Sequence, residues 1–572
     1  MPPRAVLVVL LTGCTTTDPV GAAHAPAGSG QRVLDPGCTG SAYPTIQAAI
    51  DAAADGDVVE VCAGTYRERL VVTGKRLTLR SRDGAALTTI DAQAFGTTVT
   101  VAGGAAVTID DLTLANGLAV DTGGNVSCDA STLVITDAVI TGGSAGSGGG
   151  VGAVDCDGRI TRSDVTGNDA WAGGGVFATG DGLAIDRVTF TANTAEFWGG
   201  GLYQDGSAPV TANRFDGNSS TKFGGGAYVE GSVGPITGNT VTANHSDDDG
   251  GGIYVHNGAP DIADNTFADN DSSDEGGGLR VKESTGTVRD NRFLRNHADY
   301  RGGALKVSHA PAPLLDNRFV ENSAWVAGGA VLLVEADGLV ARNVFARNTA
   351  DDGGGLYTID GFDRLELIDD VFRDNVAQGD GGNVYIDKPS QIAEITGTTL
   401  VGGTADRGGG LFVTGSQLEL SNVLALKNTA AVAGGGLYVE ASTGFVRNAL
   451  IAANSAPDGA GVVVGAGVAG LDVVGTVFVN HHGGAALAVA GVAPAIRYGD
   501  FWRNTADVDG VPSPIGVDGN LAVDPKFTDA RGQDFTLSPS SPLIDAGDPS
   551  LADPDGTRSD QGLYGGPDAW TP

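Results

Sequence analysis

Clusters of glycine recur along this sequence at a nearly constant spacing, and this periodicity limits the fold more than any other feature. The clusters begin 24 to 28 residues apart between Gly148 and Gly483. Nearly midway between clusters lies an asparagine, which usually follows a phenylalanine by three residues. The pairs are Phe190 with Asn193, Phe215 with Asn218, Phe267 with Asn270, Phe293 with Asn296, Phe319 with Asn322, Phe345 with Asn348, Phe372 with Asn375 and Phe501 with Asn504. Because the glycine clusters and the asparagines share one period, the sequence predicts a repeat protein whose units pack on their neighbours.

The residues after each glycine cluster alternate in polarity. Ile253 and Val255 follow one cluster, and Leu279 and Val281 follow the next. A period of two indicates a strand with one buried face. Because the repeat has no helical periodicity, we expect an all-β solenoid of about 25–26 residues per coil, with two or three short strands in each. The aligned asparagines should form amide ladders, and the glycines should allow positive φ and close passage beneath a neighbouring coil.

Composition limits the classes of function. Glycine supplies 91 of 572 residues, about twice the usual share of roughly 7%, and the repeat explains this excess as turns. The formal net charge of −35 argues against nucleic acid or an anionic lipid surface as the main partner. Hydrophobic residues make up 41% without any run of about 18 that could cross a membrane. We therefore expect a folded chain with no membrane-spanning helix. We also expect it to be a monomer.

The two ends of the solenoid need caps, since an open end is an exposed sheet edge. Residues 33–118 are predicted to hold the N-terminal cap and the first coils, and residues 119–504 the repetitive coils. Within the first segment, Pro44 and Thr45 open a short amphipathic helix with Ile46 and Ile50 on one face and Gly56 at its end. Residues 505–572 lose the period and should form an irregular C-terminal cap.

The N-terminus has features of an export signal. Arg4 precedes an apolar stretch over 5–11, and Leu11 to Cys14 resembles the lipobox of bacterial lipoproteins. We expect residues 1–14 to be a lipoprotein signal peptide, Cys14 to be lipidated, and residues 15–32 to be a flexible linker. The alternative is an incidental cysteine in a truncated or misassigned start. The lipoprotein interpretation predicts an exported protein at the outer membrane or cell surface, with the periplasmic side as the other option.

Four further cysteines form two pairs at nearly the repeat spacing. Cys38 and Cys62 are 24 residues apart, and Cys128 and Cys156 are 28 apart. An even number of cysteines in an exported chain favours disulfides. We expect each pair to bridge adjacent coils. A zinc site is the alternative, but no CxxC spacing is present.

Three segments resemble known families. The segment YPTIQAAIDAAADGDVVEVCAGTYRERLVV (43–72) resembles the opening of bacterial right-handed parallel β-helix proteins with the pectin-lyase-like fold. The glycine and FxxN repeat resembles that of polymorphic outer-membrane proteins, a family of surface adhesins. The segments from LAVDPKFTD to DPDGTRSDQGLYGG (521–566) are similar to a C-terminal choice-of-anchor segment. These resemblances imply a right-handed parallel β-helix, and function only weakly. No autotransporter barrel follows, so anchoring would depend on Cys14.

The second residue of the strand after each cluster should point outward and form a column along the rod. Tyrosines dominate this column, and charged groups join it at its centre. Aromatic rings beside polar groups are a common binding surface for sugars. The candidate substrate-binding residues are Tyr203, Tyr228, Tyr254, Glu230, His256 and Arg301. The alternative is an aromatic ladder that only stiffens the sheet.

Charge is concentrated on two consecutive coils. Residues 247–275 contain nine acids and no base, whereas residues 280–306 contain seven bases and three acids. Clustered carboxylates could hold Ca²⁺, and a neighbouring base could remove a proton from a uronate carbon. The candidate metal ligands are Asp248, Asp249, Asp274 and Glu275, and the candidate catalytic bases are Lys282, Arg280 and Lys306. The alternative is ion pairing between coils on a solvated surface. No catalytic motif of the pectate-lyase-like enzymes is matched.

These observations leave three functions open. The leading one is an envelope-anchored β-helix that binds polysaccharide or glycan along its aromatic and charged face. The second is a non-enzymatic adhesin or surface rod. The third is an enzyme of the pectin-lyase-like fold, either a Ca²⁺-dependent polysaccharide lyase or a glycoside hydrolase. Calcium is the one cofactor that the sequence suggests, and contact with a membrane would run through an N-terminal lipid alone.

Overall fold

The computed structural model describes residues 33–336, 338–361, 364–387 and 391–569. The predicted signal peptide, the linker and Cys14 lie outside the described residues. The chain forms one parallel β-solenoid, as the sequence predicts. A single short α-helix lies at its N-terminal end within the described residues.

The first coils contain three short strands, as expected, and each coil between Ser144 and Gly483 contains a fourth. In one coil the four strands are Ile253–His256, Ile262–Ala263, Thr266–Ala268 and Asp271–Ser272, and a glycine cluster then leads to the next coil. Strands of two residues are too short to show alternation, which is why the sequence pattern did not reveal them.

Equivalent strands of successive coils stack into four parallel sheets. The post-glycine sheet runs from Leu70–Thr73 to Ala506–Asp509, and the pre-glycine sheet from Ser144–Ser147 to His482–Gly483. The two others run from Val33–Leu34 to Ala495–Arg497 and from Gly64–Tyr66 to Asp500–Trp502. The strands that carry the site are Leu202–Asp205, Ala227–Glu230, Ile253–His256, Leu279–Lys282 and Leu305–Ser308. Register places each residue above its counterpart on the preceding coil.

The glycine clusters make the sharp turn between the pre-glycine and post-glycine strands. Gly250 adopts a φ of +70°, and a Cβ atom on Gly251 would lie 2.1 Å from the carbonyl oxygen of Asp271 on the next coil. No side chain fits at that distance. The turn therefore requires glycine for both reasons that the sequence suggested.

Two asparagine ladders hold the turns in the core. The first ladder comprises Asn168, Asn193, Asn218, Asn244, Asn270, Asn296, Asn322, Asn348 and Asn375. Each Nδ2 donates to the next Oδ1 at 2.9–3.0 Å, which confirms the expected ladder. A second ladder, which we did not predict, comprises Asn213, Asn239, Asn265, Asn291, Asn317 and Asn343. Its signal was an asparagine two residues before Phe215, Phe267, Phe293, Phe319 and Phe345.

Additional segments pack on the solenoid at its N-terminal end and along its side. The helix Ile46–Ala52 is capped by Thr45, whose Oγ1 accepts from the backbone N of Ala48 at 3.1 Å. It buries Ile46 and Ile50 against the first coil and ends before Gly56. At the other end, a C-terminal segment lies along the side of three successive coils. Its buried residues Phe535, Leu543 and Leu563 pack with Leu424, Leu450 and Val477.

The two predicted disulfides are present. Cys38 bonds to Cys62 and Cys128 to Cys156, with Cα–Cα distances of 5.3 and 6.4 Å. Disulfides form in oxidising compartments, so they indicate an extracellular or periplasmic protein. No helix among the described residues is long and apolar enough to cross a membrane.

Candidate functional site

Two facing columns of side chains run along the corner where the pre-glycine sheet turns into the post-glycine sheet. The strand column holds the second residue of each post-glycine strand. Its members are Phe177, Tyr203, Tyr228, Tyr254, Arg280, Lys306, Leu332, Tyr357, Tyr385, Phe412 and Tyr438. The turn column holds the residue just before each glycine cluster. Its members are Trp198, Phe223, Asp249, Glu275, Arg301, Ala327, Asp352, Asp380, Arg407 and Ala433.

The two columns match in chemistry. Phe223 of the turn column lies 4.9 Å from the Tyr254 ring, and Arg407 lies 4.9 Å from the Phe412 ring. Where the strand column becomes basic, at Arg280, the turn column becomes acidic. Contacts between the columns therefore fill the corner and bury much of the strand column.

The predicted sugar-binding tyrosines lie in this filled corner. The rings of Tyr203, Tyr228 and Tyr254 stack with centroid separations of 5.4 and 5.3 Å. Tyr228 is 8% exposed and Tyr254 is 4% exposed. Their ring faces cover one another, so a sugar ring cannot lie flat on them. Contact with a ligand would have to use their polar ends.

The hydroxyl group of Tyr228 belongs to a hydrogen-bonded group that also contains Glu230 and His256, two other predicted substrate-binding residues. The Tyr228 hydroxyl donates to Oε2 of Glu230 at 2.7 Å, and Nδ1 of His256 lies 2.9 Å from the same oxygen. Asn257 Nδ2 donates to Oε1 at 2.8 Å. About a quarter of the Glu230 and His256 side chains is exposed, at 25% and 26%. A ligand in solvent can therefore reach these two groups.

Burial governs how these groups titrate. It raises the pKa of Tyr203 and of Tyr254 to about 12, so both phenols stay protonated near neutral pH. Burial also raises the pKa of Glu230, but hydrogen bonds from Tyr228, Asn257 and His256 outweigh it and leave that pKa below its usual value. Glu230 is therefore a stable carboxylate acceptor.

At the centre of the columns, two cations are buried against acids of the preceding coil. The Arg280 side chain is only 4% exposed, and its Nε lies 3.3 Å from Oδ2 of Asp249. Its Nη2 donates to the hydroxyl of Ser308 at 2.7 Å. Lys306 contacts the carboxylate of Glu275, and each of these side chains is 11% exposed. We call Asp249, Glu275, Arg280 and Lys306 the charged cluster.

Burial shifts the pKa values of two members of the charged cluster and of the neighbouring Asp274. Burial raises the pKa of Asp249, although Arg280 and Lys306 oppose the change. Burial likewise lowers the pKa of Lys306, against the attraction of Asp249 and Asp274. Burial and the neighbouring Asp249 raise the pKa of Asp274. Displaced pKa values in opposite directions are typical of functional sites as well as of structural ion pairs.

Three of the four predicted metal ligands come together. Asp248, Asp249 and Asp274 each offer a carboxylate oxygen within 4.8 Å of the others. Oδ1 of Asp249 is buried without a hydrogen-bond partner among the described residues. Glu275 instead turns to Lys306. An all-oxygen group with an unpartnered acceptor fits Ca²⁺ in its donor chemistry.

Lys282, a predicted catalytic base, and Arg301, a predicted substrate-binding residue, lie outside the interior of the charged cluster. Lys282 lies at the far end of its strand, with Nζ 3.9 Å from Glu283, and 36% of its side chain is exposed. The guanidinium of Arg301 lies 4.4 Å from the ring centroid of Tyr300, and its Nε is buried without a partner among the described residues.

Many other bases pair with acids of the preceding coil on the outer surface. Of the seven bases in 280–306, four pair with acids of 247–275, including Arg289 with Asp261 and Arg295 with Asp269. The same pairing recurs elsewhere, as in Arg162 with Asp137, Arg342 with Asp316 and Arg347 with Glu321. The alternative of ion pairing between coils therefore accounts for part of the charge pattern.

Comparisons with known proteins agree with the architecture. A family model described as a right handed beta helix region matches residues 97–267 and 174–388, which together span half of the chain. No curated protein matches the sequence.

Two solved structures show weak similarity. One is a mannuronic acid specific polysaccharide family 6 lyase from human gut microbiota, with 13% identity, 55% of this chain and 82% of that chain covered, and a TM-score of 0.25. The other is the A-module of a mannuronan C-5 epimerase from Azotobacter vinelandii, with 14% identity, 84% and 94% covered, and a TM-score of 0.19. Neither similarity bears on activity.

Proposed function

Since this chain belongs to the right-handed β-helix family, we propose that it binds polysaccharide on the outer surface of its solenoid, at the charged cluster and the tyrosine hydroxyl groups beside it. The burial of Arg280 and Lys306 carries this proposal. Buried charges are costly, and hydrophobic residues of similar size often replace them without loss of stability. A structural role alone does not account for them, whereas a binding site would use them to fix Asp249 and Glu275 beside Asp274, whose partly exposed carboxylate would meet the hydroxyl groups of a sugar.

Calcium would complete this site. Asp248, Asp249 and Asp274 would hold the ion through carboxylate oxygens. The ion would offset the repulsion between these acids and an anionic polysaccharide. We extend the proposal to location: the two disulfides support export, and lipidation of Cys14 would anchor the protein at the cell envelope.

Affinity electrophoresis tests the binding. The protein is run in gels that contain sodium alginate, sodium polygalacturonate or sodium hyaluronate, with Ca²⁺ or with a chelator. We expect retardation by at least one polymer, weaker with the chelator. Asp274→Asn should reduce the retardation, whereas Asp264→Asn, an equal change of charge at an exposed position of the same coil, should not. Equal mobility in every gel would exclude the proposal.

A second function, polysaccharide lyase, is favoured by the lowered pKa of Lys306. In its deprotonated form, Lys306 would take the proton from the carbon next to a uronate carboxylate. The electron pair left behind forms a carbon–carbon double bond as the glycosidic oxygen leaves and takes up a proton. The product absorbs in the ultraviolet. Absence of this absorbance on all three polymers, with Ca²⁺ present, would exclude this activity.

The third function, an adhesive or scaffolding rod, is favoured by the exposed ion pairs between coils. It predicts no retardation in any polysaccharide gel and no change in mobility on substitution of the charged cluster. The same electrophoresis therefore separates it from the two carbohydrate functions.

A further inference from the structure

Two exposed aromatic residues lie beside the charged cluster, on consecutive coils. Among the described residues, the exposed aromatic side chains are Phe95, Trp325, Trp171 and Tyr300, at 75%, 70%, 41% and 40%. Trp171 packs on Phe197 and Trp198 at 4.8 and 4.6 Å, and Phe95 lies in the first coils. Tyr300 and Trp325 remain as a pair whose exposure the aromatic packing of the corner does not explain.

The hydrogen bonding places these two residues relative to the cluster. The backbone N of Tyr300 donates to the carbonyl oxygen of Asp274 at 3.0 Å, so Tyr300 sits one coil from the acidic group. The carbonyl oxygen of Tyr300 in turn accepts from Val326 at 2.9 Å. Trp325, next to Val326, therefore lies one coil further along the same edge.

Arg301 links Tyr300 to the turn column. Its guanidinium covers one side of the Tyr300 ring at 4.4 Å, and its backbone pairs with Glu275 on one coil and Ala327 on the next. A cation on an aromatic ring holds the ring in place. Tyr300 is thus a supported ring on the rim of the corner, unlike the stacked tyrosines inside it.

We propose that Tyr300 and Trp325 form a stacking platform for a pyranose ring of the bound polysaccharide, next to Asp274 and Arg301. This inference rests on the proposed function. Sugars present C–H faces that pack on aromatic surfaces, while their hydroxyl groups need polar partners. The two rings supply the aromatic surface, and the adjacent charged groups supply the polar partners. The buried tyrosines supply no free face.

The patch fits a sugar better than a protein. A stable protein interface covers about 800 Å² on each partner, whereas this apolar surface consists of two rings bordered by the charged residues Asp274, Asp299 and Arg301. The acidic border also disfavours an anionic lipid surface. One sugar ring matches the size of an aromatic ring and tolerates the polar border.

The test uses the full-length protein in gels that contain sodium alginate, sodium polygalacturonate or sodium hyaluronate. We expect Trp325→Ala and Tyr300→Ala each to weaken retardation about three- to tenfold in apparent affinity, and Trp325→Phe to retain most of it. Phe95→Ala removes a ring that is at least as exposed as those of Trp325 and Tyr300, but far from the cluster, and should leave retardation unchanged. Circular dichroism and thermal unfolding check that each variant folds as the wild type does.

The outcomes separate the two proposals. Retardation of the wild type with equal retardation of Trp325→Ala and Tyr300→Ala would overturn the platform and leave the proposed function standing. A wild type that no polymer retards would overturn both. Weakening by Phe95→Ala to the same degree would also overturn the platform, because the effect would not depend on the place of the ring.

Discussion

Asp370 occupies a position of the second ladder that asparagine fills on the preceding coils. Its Oδ1 accepts from Nδ2 of Asn343 at 3.0 Å, as an asparagine would, but its Oδ2 is buried without a partner among the described residues. Burial raises its pKa well above the usual value, and the hydrogen bonds from Asn343 oppose this only in part. The carboxyl group is therefore a cost to the fold at neutral pH.

Replacing Asp370 by asparagine should stabilise the protein. We expect Asp370→Asn to raise the free energy of unfolding at pH 7 by roughly 1–3 kcal/mol. Because the folded pKa is raised, the wild type loses stability as pH rises from about 4 through that pKa, so the gain should vanish below pH 4. Urea unfolding at several pH values measures this, with the exposed neighbour Asp369→Asn as control. No gain at pH 7 would contradict the explanation.

His481 holds the ladder position that Asn454 fills on the preceding coil and Asn504 on the next, and its backbone N donates to Oδ1 of Asn504 at 3.2 Å. Burial lowers its pKa to about 4, so the folded state holds the neutral form. Its stabilising contribution is complete above about pH 6.5 and is lost as pH falls towards 4. When the pH falls from 7 to below 4, the free energy of unfolding of His481→Asn should fall by roughly 3 kcal/mol less than that of the wild type. The exposed His482→Asn is the control. An unchanged acid unfolding curve for His481→Asn would contradict this.

The glycine turn between the pre-glycine and post-glycine strands should tolerate no side chain at Gly251. We expect Gly251→Ala to lower the free energy of unfolding by more than about 2 kcal/mol, because the added Cβ would meet the Asp271 carbonyl oxygen at 2.1 Å. Gly217 has a φ of +63° and open space around it, so Gly217→Asn should be nearly neutral. Thermal unfolding compares the two. A neutral Gly251→Ala would show that the coils can separate at this turn.

The sequence predicted the coil and its columns, but not what covers them. Alternation shows that Tyr228 and Tyr254 point away from the core of the solenoid. It does not show that the preceding turn folds over them, since this depends on how Phe223 packs across the corner. The second ladder was visible in the sequence as an asparagine that recurs every 26 residues from Asn213 to Asn343. Lys282 lies at the far end of its strand, away from the acidic group that contains Asp274. The spacing of residues along the sequence does not by itself predict that distance.

The C-terminal segment shields an apolar strip on the side of the solenoid. Leu543 is fully buried in that contact, and its neighbour Ile544 is 38% exposed. We expect Leu543→Asp to detach the segment and expose Leu450 and Val477. Limited proteolysis should then release it and leave a stable fragment of coils, and a hydrophobic dye should bind. Ile544→Asp should resist both, and equal resistance of Leu543→Asp would contradict the proposed contact.

The place where a polysaccharide binds decides between the proposed functions. A crystal structure of the protein with an oligosaccharide of the polymer that retards it most is the most direct measurement. We predict that the sugar lies along the turn column beside Asp274 and Arg301, within hydrogen-bonding distance of the charged groups. An oligosaccharide bound on another face of the solenoid, with no contact to these residues, would contradict the account.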